Sequence, residues 1–164
     1  MHTETFIRQA SAVGAECHLV ADAPGLIARL AALLDEAGVS DSPGQFALLD
    51  PACFDGLPLS AGDLPSIPGL RLDPTRETAA NSLAGITAAG YGAAETGSLL
   101  CDSSPVAYRL ATTLPQIHIA LLRSSRIVPS MAGALALIPP ARARFIAAIT
   151  RPSRTAHTER LHPL

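Results

Sequence analysis

The sequence contains no lysine, and all 12 of its basic residues are arginine. This absence excludes a Schiff-base lysine, a pyridoxal-phosphate lysine and a P-loop lysine supplied by this chain. Tryptophan is also missing, and aromatic residues make up only 4% of the chain. The formal net charge is −2, with no excess of basic residues. The composition therefore argues against nucleic acid as the main partner.

Cysteine is scarce, and its spacing matches no metal or cluster motif. Cys17, Cys53 and Cys101 are far apart in the sequence, whereas zinc and iron–sulfur sites use closely spaced cysteines. An odd number of cysteines in a domain of this size favours a reducing compartment. The N-terminus lacks the features of a signal peptide, and the apolar run Met131–Ile138 is too short to span a bilayer. We expect a cytoplasmic protein with no metal or other cofactor.

The chain of 164 residues is 48% apolar, which is sufficient for one domain with its own core, spanning 1–164. Helical periodicity and apolar runs alternate along it. Helices are predicted over Thr3–Ala12, Leu26–Ala37 with Asp22 as N-cap, Val106–Thr113, and from Pro129 through Ile138. Strands are predicted over Glu16–Val20, Gln45–Leu49, Leu70–Leu72, Ser82–Ile86, Ser98–Cys101, Gln116–Leu122 and Arg144–Ile149. This alternation is typical of an α/β fold with a mainly parallel sheet and helices on both faces.

The first candidate site is the glycine-rich segment Gly85–Ser98, which begins in one predicted strand and ends at the next. Ligands of open α/β sheets bind at the carboxyl ends of the strands, where Glu95, Thr96 and Ser98 are expected. Apolar neighbours predict partial burial of Glu95, and a carboxylate there could serve as a base or a nucleophile. The alternative is a tight turn in which Glu95 caps backbone amides.

The second candidate site is Arg151–Thr155, where Ser153 would cap a short terminal helix. Free backbone amides and the Arg154 guanidinium would then form an anion site. The alternative is a capped surface helix with solvated arginines.

Histidine offers two weaker signals. His118 lies within the apolar segment Gln116–Leu122, which is expected to be a strand buried on both faces, where a hydrogen-bonded core role competes with a ligand-binding one. His157 and His162 are five positions apart, which is not a specific metal-binding spacing.

Four segments together resemble the LUD domain of the lactate utilization protein C family. In order, they are Gly85–Ser98, Leu114–Ile119, Arg126–Ser130 and Pro152–Ala156. They match family motifs of the form G-[IV]-T-x-A-x-x-A-I-A-E-T-G-[ST], L-P-x-x-H-[IV] and GPSRTADIE. The chain departs from the family at Arg151, where glycine is usual, and at His157, where aspartate is usual. It also stops where the family continues into a G-V-H-G-P segment, so we expect it to lack the family's C-terminal end.

The resemblance implies a fold similar to the sugar-phosphate isomerase and CoA-transferase superfamily (NagB/RpiA/CoA-transferase-like). It also implies a role in bacterial L-lactate catabolism, the oxidation of L-lactate to pyruvate, alongside iron–sulfur partner proteins. Glu95 is the candidate catalytic residue. The candidate ligand-binding residues are Thr87, Thr96, Gly97, Ser98, His118, Ser153, Arg154 and Thr155.

Three functional hypotheses remain open at this point. The first is an accessory subunit of a lactate-oxidising assembly that binds a small carboxylate or phosphate. The second is an enzyme similar to CoA-transferases or isomerases, with Glu95 as nucleophile or base. The third is a domain that has lost its function. The first two require Glu95 and Arg154 to meet at one rim of the sheet.

Overall fold

The computed structural model describes residues 2–55, 62, 64, 67–138 and 143–151. Helices and strands are interspersed along this part of the chain. The helices are α1 (His2–Ala12), α2 (Ala23–Glu36), α3 (Arg76–Ala80), α4 (Val106–Thr113) and α5 (Met131–Ala136). The strands are β1 (Phe46–Leu49), β2 (Leu70–Arg71), β3 (Ser82–Ala88), β4 (Tyr91–Ala93), β5 (Ser98–Asp102), β6 (Ile117–Leu121), β7 (Ile127–Val128) and β8 (Ile146–Ile149).

The strands form two four-stranded sheets, and the predicted α/β fold is confirmed. Sheet A has the order β2-β1-β3-β6 and is parallel throughout. Sheet B has the order β7-β4-β5-β8, with one parallel and two antiparallel pairings. The antiparallel pairing of β4 with β5 arises because a short turn joins them, which reverses the chain direction without a helix.

A single backbone segment belongs to both sheets. β3 and β4 are separated by only Ala89 and Gly90, and we call residues 82–93 the β3–β4 run. The Ala89 N–H donates to the Leu121 carbonyl (2.8 Å) on the β6 side, and the Gly90 N–H donates to the Leu100 carbonyl (2.9 Å) on the β5 side. Because Leu100 also pairs with Tyr91, the run contains a β-bulge where sheet A passes into sheet B.

Helix α2 covers one face of sheet A. It begins as predicted: the Asp22 carboxylate accepts the Gly25 N–H at 2.8 Å, and Pro24 lies in the first turn. Leu30 and Leu34 are buried against Leu49 and Ile86. This cluster forms the largest part of the apolar core.

Helix α4 covers the opposite face of sheet A at very short range. A Cβ placed on Gly85 of β3 would lie 1.7 Å from the Ala111 carbonyl oxygen. The glycine therefore allows the helix backbone to lie directly against the strand. Leu48, Ala79 and Ala111 fill the rest of this layer.

Two predicted strands need correction. Glu16–Val20 forms no strand, because Leu19 is 73% exposed and the side chains of Glu16 and His18 contact Arg29 of α2 instead. Gln116–Leu122 contains β6, but this strand lies at an edge of sheet A and is only half-buried, so the expected burial on both faces is wrong.

Three short elements were missed, namely α3, β4 and β7. Thr75 caps α3 by accepting the Thr78 N–H at 3.0 Å. Strand β4 lies within the glycine-rich segment. No helix in the described residues is long and apolar enough to cross a membrane.

Candidate functional site

The turn between β4 and β5 holds the predicted glutamate. The Gly97 N–H donates to the Ala93 carbonyl at 2.9 Å and closes the turn. The Glu95 N–H donates to the Pro129 carbonyl (3.1 Å), and Glu95 Oε1 accepts the Met131 N–H (2.8 Å). Backbone and side chain of Glu95 together fix this turn to the beginning of α5.

Glu95 is exposed, so its predicted partial burial is wrong. The two alanines that precede it are buried in different apolar clusters. Ala93 packs against Leu100 and Ala134, and Ala94 packs against α1. The carboxylate remains at the surface and binds a free amide of the first turn of α5, where a negative charge is stabilising. This contact supports the capping interpretation of Glu95 over the nucleophile interpretation.

Three hydroxyl groups meet beside this turn. Ser98 Oγ donates to Thr96 Oγ1 at 2.7 Å and shares a second hydrogen bond of 2.9 Å with Thr150 Oγ1. Ser98 is fully buried, whereas Thr96 and Thr150 are exposed. We call Thr96, Ser98 and Thr150 the hydroxyl cluster. Thr150 was not among the predicted site residues, and the pairing of β5 with β8 brings it here.

Gly97 has a packing function in the turn. Its φ of +68° lies in the left-handed region, which favours glycine. A Cβ there would lie 2.3 Å from the Ala10 nitrogen of α1. The close approach of α1 therefore accounts for this glycine without a ligand.

Thr87 and His118 lie elsewhere, on the face of sheet A that α4 covers. Their side chains share a hydrogen bond of 2.9 Å between Oγ1 and Nε2. Burial lowers the pKa of His118, because a charged imidazole loses solvation there. The structure thus pairs these two predicted residues, and β4 separates them from the Glu95 turn.

Two further polar residues share this face and were missed by the sequence analysis. Tyr108 of α4 is 5% exposed, and its side chain lies beside those of Cys101 and Thr87. Asp50 follows β1 and is 7% exposed, with Oδ1 accepting the Ala52 N–H at 3.1 Å. The sequence offered two signals for them: Tyr108 lies in a predicted helix, and Asp50 directly follows a predicted strand.

The cysteines are free and mostly buried. Burial is the main cause that raises the pKa of Cys53 to about 12, and the charge of Asp50 is the second. Burial also raises the pKa of Cys101. Both thiols are therefore protonated at neutral pH. No group of His, Cys, Asp and Glu suited to a metal ion occurs among the residues that the structure describes.

Ser153, Arg154 and Thr155 lie outside the described residues, as do His157 and His162. The predicted meeting of Glu95 and Arg154 therefore remains a prediction. The last residues described before this segment, Thr150 and Arg151, are both exposed.

The fold and these sites define an α/β protein that is similar to a solved structure. The crystal structure of a DUF162 family protein from Deinococcus radiodurans matches with a TM-score of 0.67 and 18% sequence identity. The match covers 91% of this chain and 86% of the other. A search of curated proteins finds no match.

The family model of the LUD domain matches residues 3–162, so this chain belongs to the LUD domain family. The resemblance found in four sequence segments is confirmed at that level. Membership implies, in broad terms, a role in lactate utilization.

Proposed function

We propose that this protein is a cytoplasmic accessory component of bacterial L-lactate utilization that corresponds to lactate utilization protein C. It works with iron–sulfur partner proteins that oxidise lactate to pyruvate, and it binds a small anion at the Glu95 turn. The family match supports the lactate context. The motif order along the chain supports both the correspondence and a relationship to the NagB/RpiA/CoA-transferase-like superfamily.

The hydroxyl cluster is the observation that supports an anion site. Thr96 and Thr150 are exposed on either side of the buried Ser98, so two hydroxyls are available to a ligand beside a fixed third one. Arg154 follows Thr150 by four residues, and four residues span at most about 14 Å. We propose that the Arg154 guanidinium completes this site.

Hydroxyl groups and a guanidinium suit a carboxylate. Arginine binds the two oxygens of a carboxylate or phosphate in parallel, and threonine hydroxyls donate to the same oxygens. The neighbouring Glu95 carboxylate repels anions, and it repels a dianion about twice as strongly as a monoanion. Among the two ligand classes, a monocarboxylate such as lactate is therefore favoured over phosphate.

A thermal-shift titration with L-lactate and with inorganic phosphate tests the anion site. At a concentration of 100 times Kd, a ligand stabilises by about 2.7 kcal/mol, so lactate should raise Tm clearly. Arg154→Ala and Thr150→Val should each abolish most of the shift. Arg144→Ala, at an exposed arginine of the same C-terminal region, is the matched control and should retain it. Equal loss in the control, or no shift in the original protein, contradicts the proposal.

The partner proposal is tested by co-expression of the full chain with the iron–sulfur lactate-oxidation proteins of the same organism. We expect co-purification that survives size-exclusion chromatography. Separate elution of all components, in both the presence and the absence of lactate, would remove the accessory interpretation.

A further inference from the structure

Strand β6 lies at an edge of sheet A and lacks the features that usually protect such a strand. It pairs with β3 and with no other strand among the described residues. Exposed strand edges tend to pair with other chains, and a charged side chain, a proline or a β-bulge in the strand usually prevents this. The segment 116–122, QIHIALL, has no such charge or proline, and its register with β3 is regular. This edge is therefore available to a further strand.

The outer backbone groups of β6 belong to His118 and Ala120. The Leu121 carbonyl accepts the Ala89 N–H at 2.8 Å, so the backbone of Leu121 bonds toward the β3–β4 run. Along a strand, this direction alternates from one residue to the next. His118 and Ala120 lie one and three positions before Leu121, so their N–H and C=O groups point away from β3. They are the donors and acceptors that a further strand would meet.

The helices on the two faces of sheet A pack mainly on its inner strands. The leucines of α2 pack against β1 and β3, and the backbone of α4 lies against β3, where the Ala111 carbonyl meets Gly85. Ile117, the first residue of β6, is 38% exposed, and the rest of the strand is half-buried. A further strand can therefore approach β6 in the plane of the sheet, and it would cover apolar side chains there.

The charges at this edge favour a second copy of the chain over a charged partner. The segment Leu114–Leu122 contains no Asp, Glu, Lys or Arg, and burial lowers the pKa of His118, which is therefore neutral at pH 7. A charged partner strand would find no complementary group, whereas two copies of this uncharged strand bring no like charges together. Strand β8 is also an edge strand, but the exposed Arg144 and Arg151 flank it. Antiparallel pairing of two β8 strands would bring these arginines close to each other.

We propose that two copies of this chain form a dimer by antiparallel pairing of their β6 strands about a two-fold axis at Ile119. This register pairs all five residues of the strand. His118 of one copy exchanges backbone hydrogen bonds with Ala120 of the other, and both have the outward direction that this requires. Ile117 lies opposite Leu121 of the second copy, and the two Ile119 side chains lie opposite each other, so the closely spaced pairs are apolar. The dimer does not depend on the anion proposed for the hydroxyl cluster.

Ile117→Lys is the variant that tests the pairing, with the mass measured by size-exclusion chromatography and light scattering. In the dimer it would place an ammonium group against Leu121 of the second copy, where burial of a charge is costly. Ile146→Lys makes the same change in edge strand β8 at a residue of equal exposure, 40% against 38%, and is the matched control. We expect the unaltered protein and Ile146→Lys to be dimers at submillimolar concentration. Ile117→Lys should raise the Kd of the dimer at least tenfold.

Amide hydrogen exchange of the unaltered full chain is the second measurement, and it remains decisive if Ile117→Lys does not fold. The amides of His118 and Ala120 should exchange at least tenfold more slowly in the dimer than after dilution to the monomer. The amide of Ile119, which bonds toward β3 in both states, should not change. A monomer at submillimolar concentration overturns the proposal, and so does a dimer whose His118 and Ala120 amides exchange as in the monomer. Equal weakening of the dimer by Ile146→Lys would also contradict it.

Discussion

Glu95 stabilises the protein by capping α5. The Met131 N–H is one of the free amides at the beginning of that helix, and the Glu95 carboxylate satisfies it at 2.8 Å. We predict that Glu95→Ala lowers the free energy of unfolding by about 1 kcal/mol. Glu95→Gln keeps an acceptor oxygen and should lose less than half of that amount.

Urea denaturation of the two variants measures this difference. If Glu95→Gln is as destabilising as Glu95→Ala, the hydrogen bond does not carry the stabilisation. If neither variant loses stability, the capping interpretation is wrong.

His118 makes the stability depend on pH. Burial lowers its pKa below the ordinary value of 6.5, so the unfolded chain binds the proton more tightly than the folded one. The stabilising contribution is complete above pH 6.5 and is lost as the pH falls from 6.5 toward the folded pKa. We predict that the free energy of unfolding decreases over this range and that His118→Gln removes part of the slope.

Denaturation curves at half-unit steps from pH 7.5 to 5 provide the measurement. His2→Gln changes an exposed histidine of α1 and is the control for the substitution itself. An identical slope in His118→Gln and in the original protein would show that His118 is not the group responsible.

At the scale of secondary structure, α1 and the β4–β5 turn are packed backbone to backbone. Gly97 combines a left-handed φ with the 2.3 Å approach to the Ala10 nitrogen, whereas Gly38 has φ +80° and open space around it. We predict that Gly38→Ala costs about 1 kcal/mol from backbone strain alone. Gly97→Ala should cost at least about twice as much, because α1 must also move.

Thermal unfolding of both glycine variants checks this prediction, and circular dichroism of Gly97→Ala reports any loss of helix. Equal losses of Tm in the two variants would show that the contact with α1 contributes nothing.

The elements that could be predicted from the sequence are those with local signals. Asp22 and Pro24 mark the beginning of α2, Gly38 ends it, and Val106–Thr113 is a helix with the predicted bounds. Pairing partners carry no such signal. The edge position of β6 and the contact of Thr150 with Ser98 depend on which strands are neighbours, and that is decided by packing over long sequence distances.

At the scale of the whole molecule, the candidate site is divided. Thr87 and Glu95 both belong to the segment Gly85–Ser98 that was predicted as the first candidate site. The extended β3–β4 run instead carries them to different sheets. Glycines of this segment allow close packing against α4 and against α1, including its Phe6.

We predict that the β3–β4 run, because it belongs to both sheets, makes them one cooperative folding unit. β3 ends at residue 88 and β4 begins three residues later, so unfolding of sheet A also displaces the backbone of sheet B. We therefore expect the two sheets to unfold together. Tyr91 reports on β4, and Tyr108 reports on the layer above β3. The measurement is a urea titration followed by NMR of protein labelled with ¹³C at tyrosine Cζ. Both native tyrosine signals should disappear at the same urea concentration, and different midpoints would reveal two independent folding units.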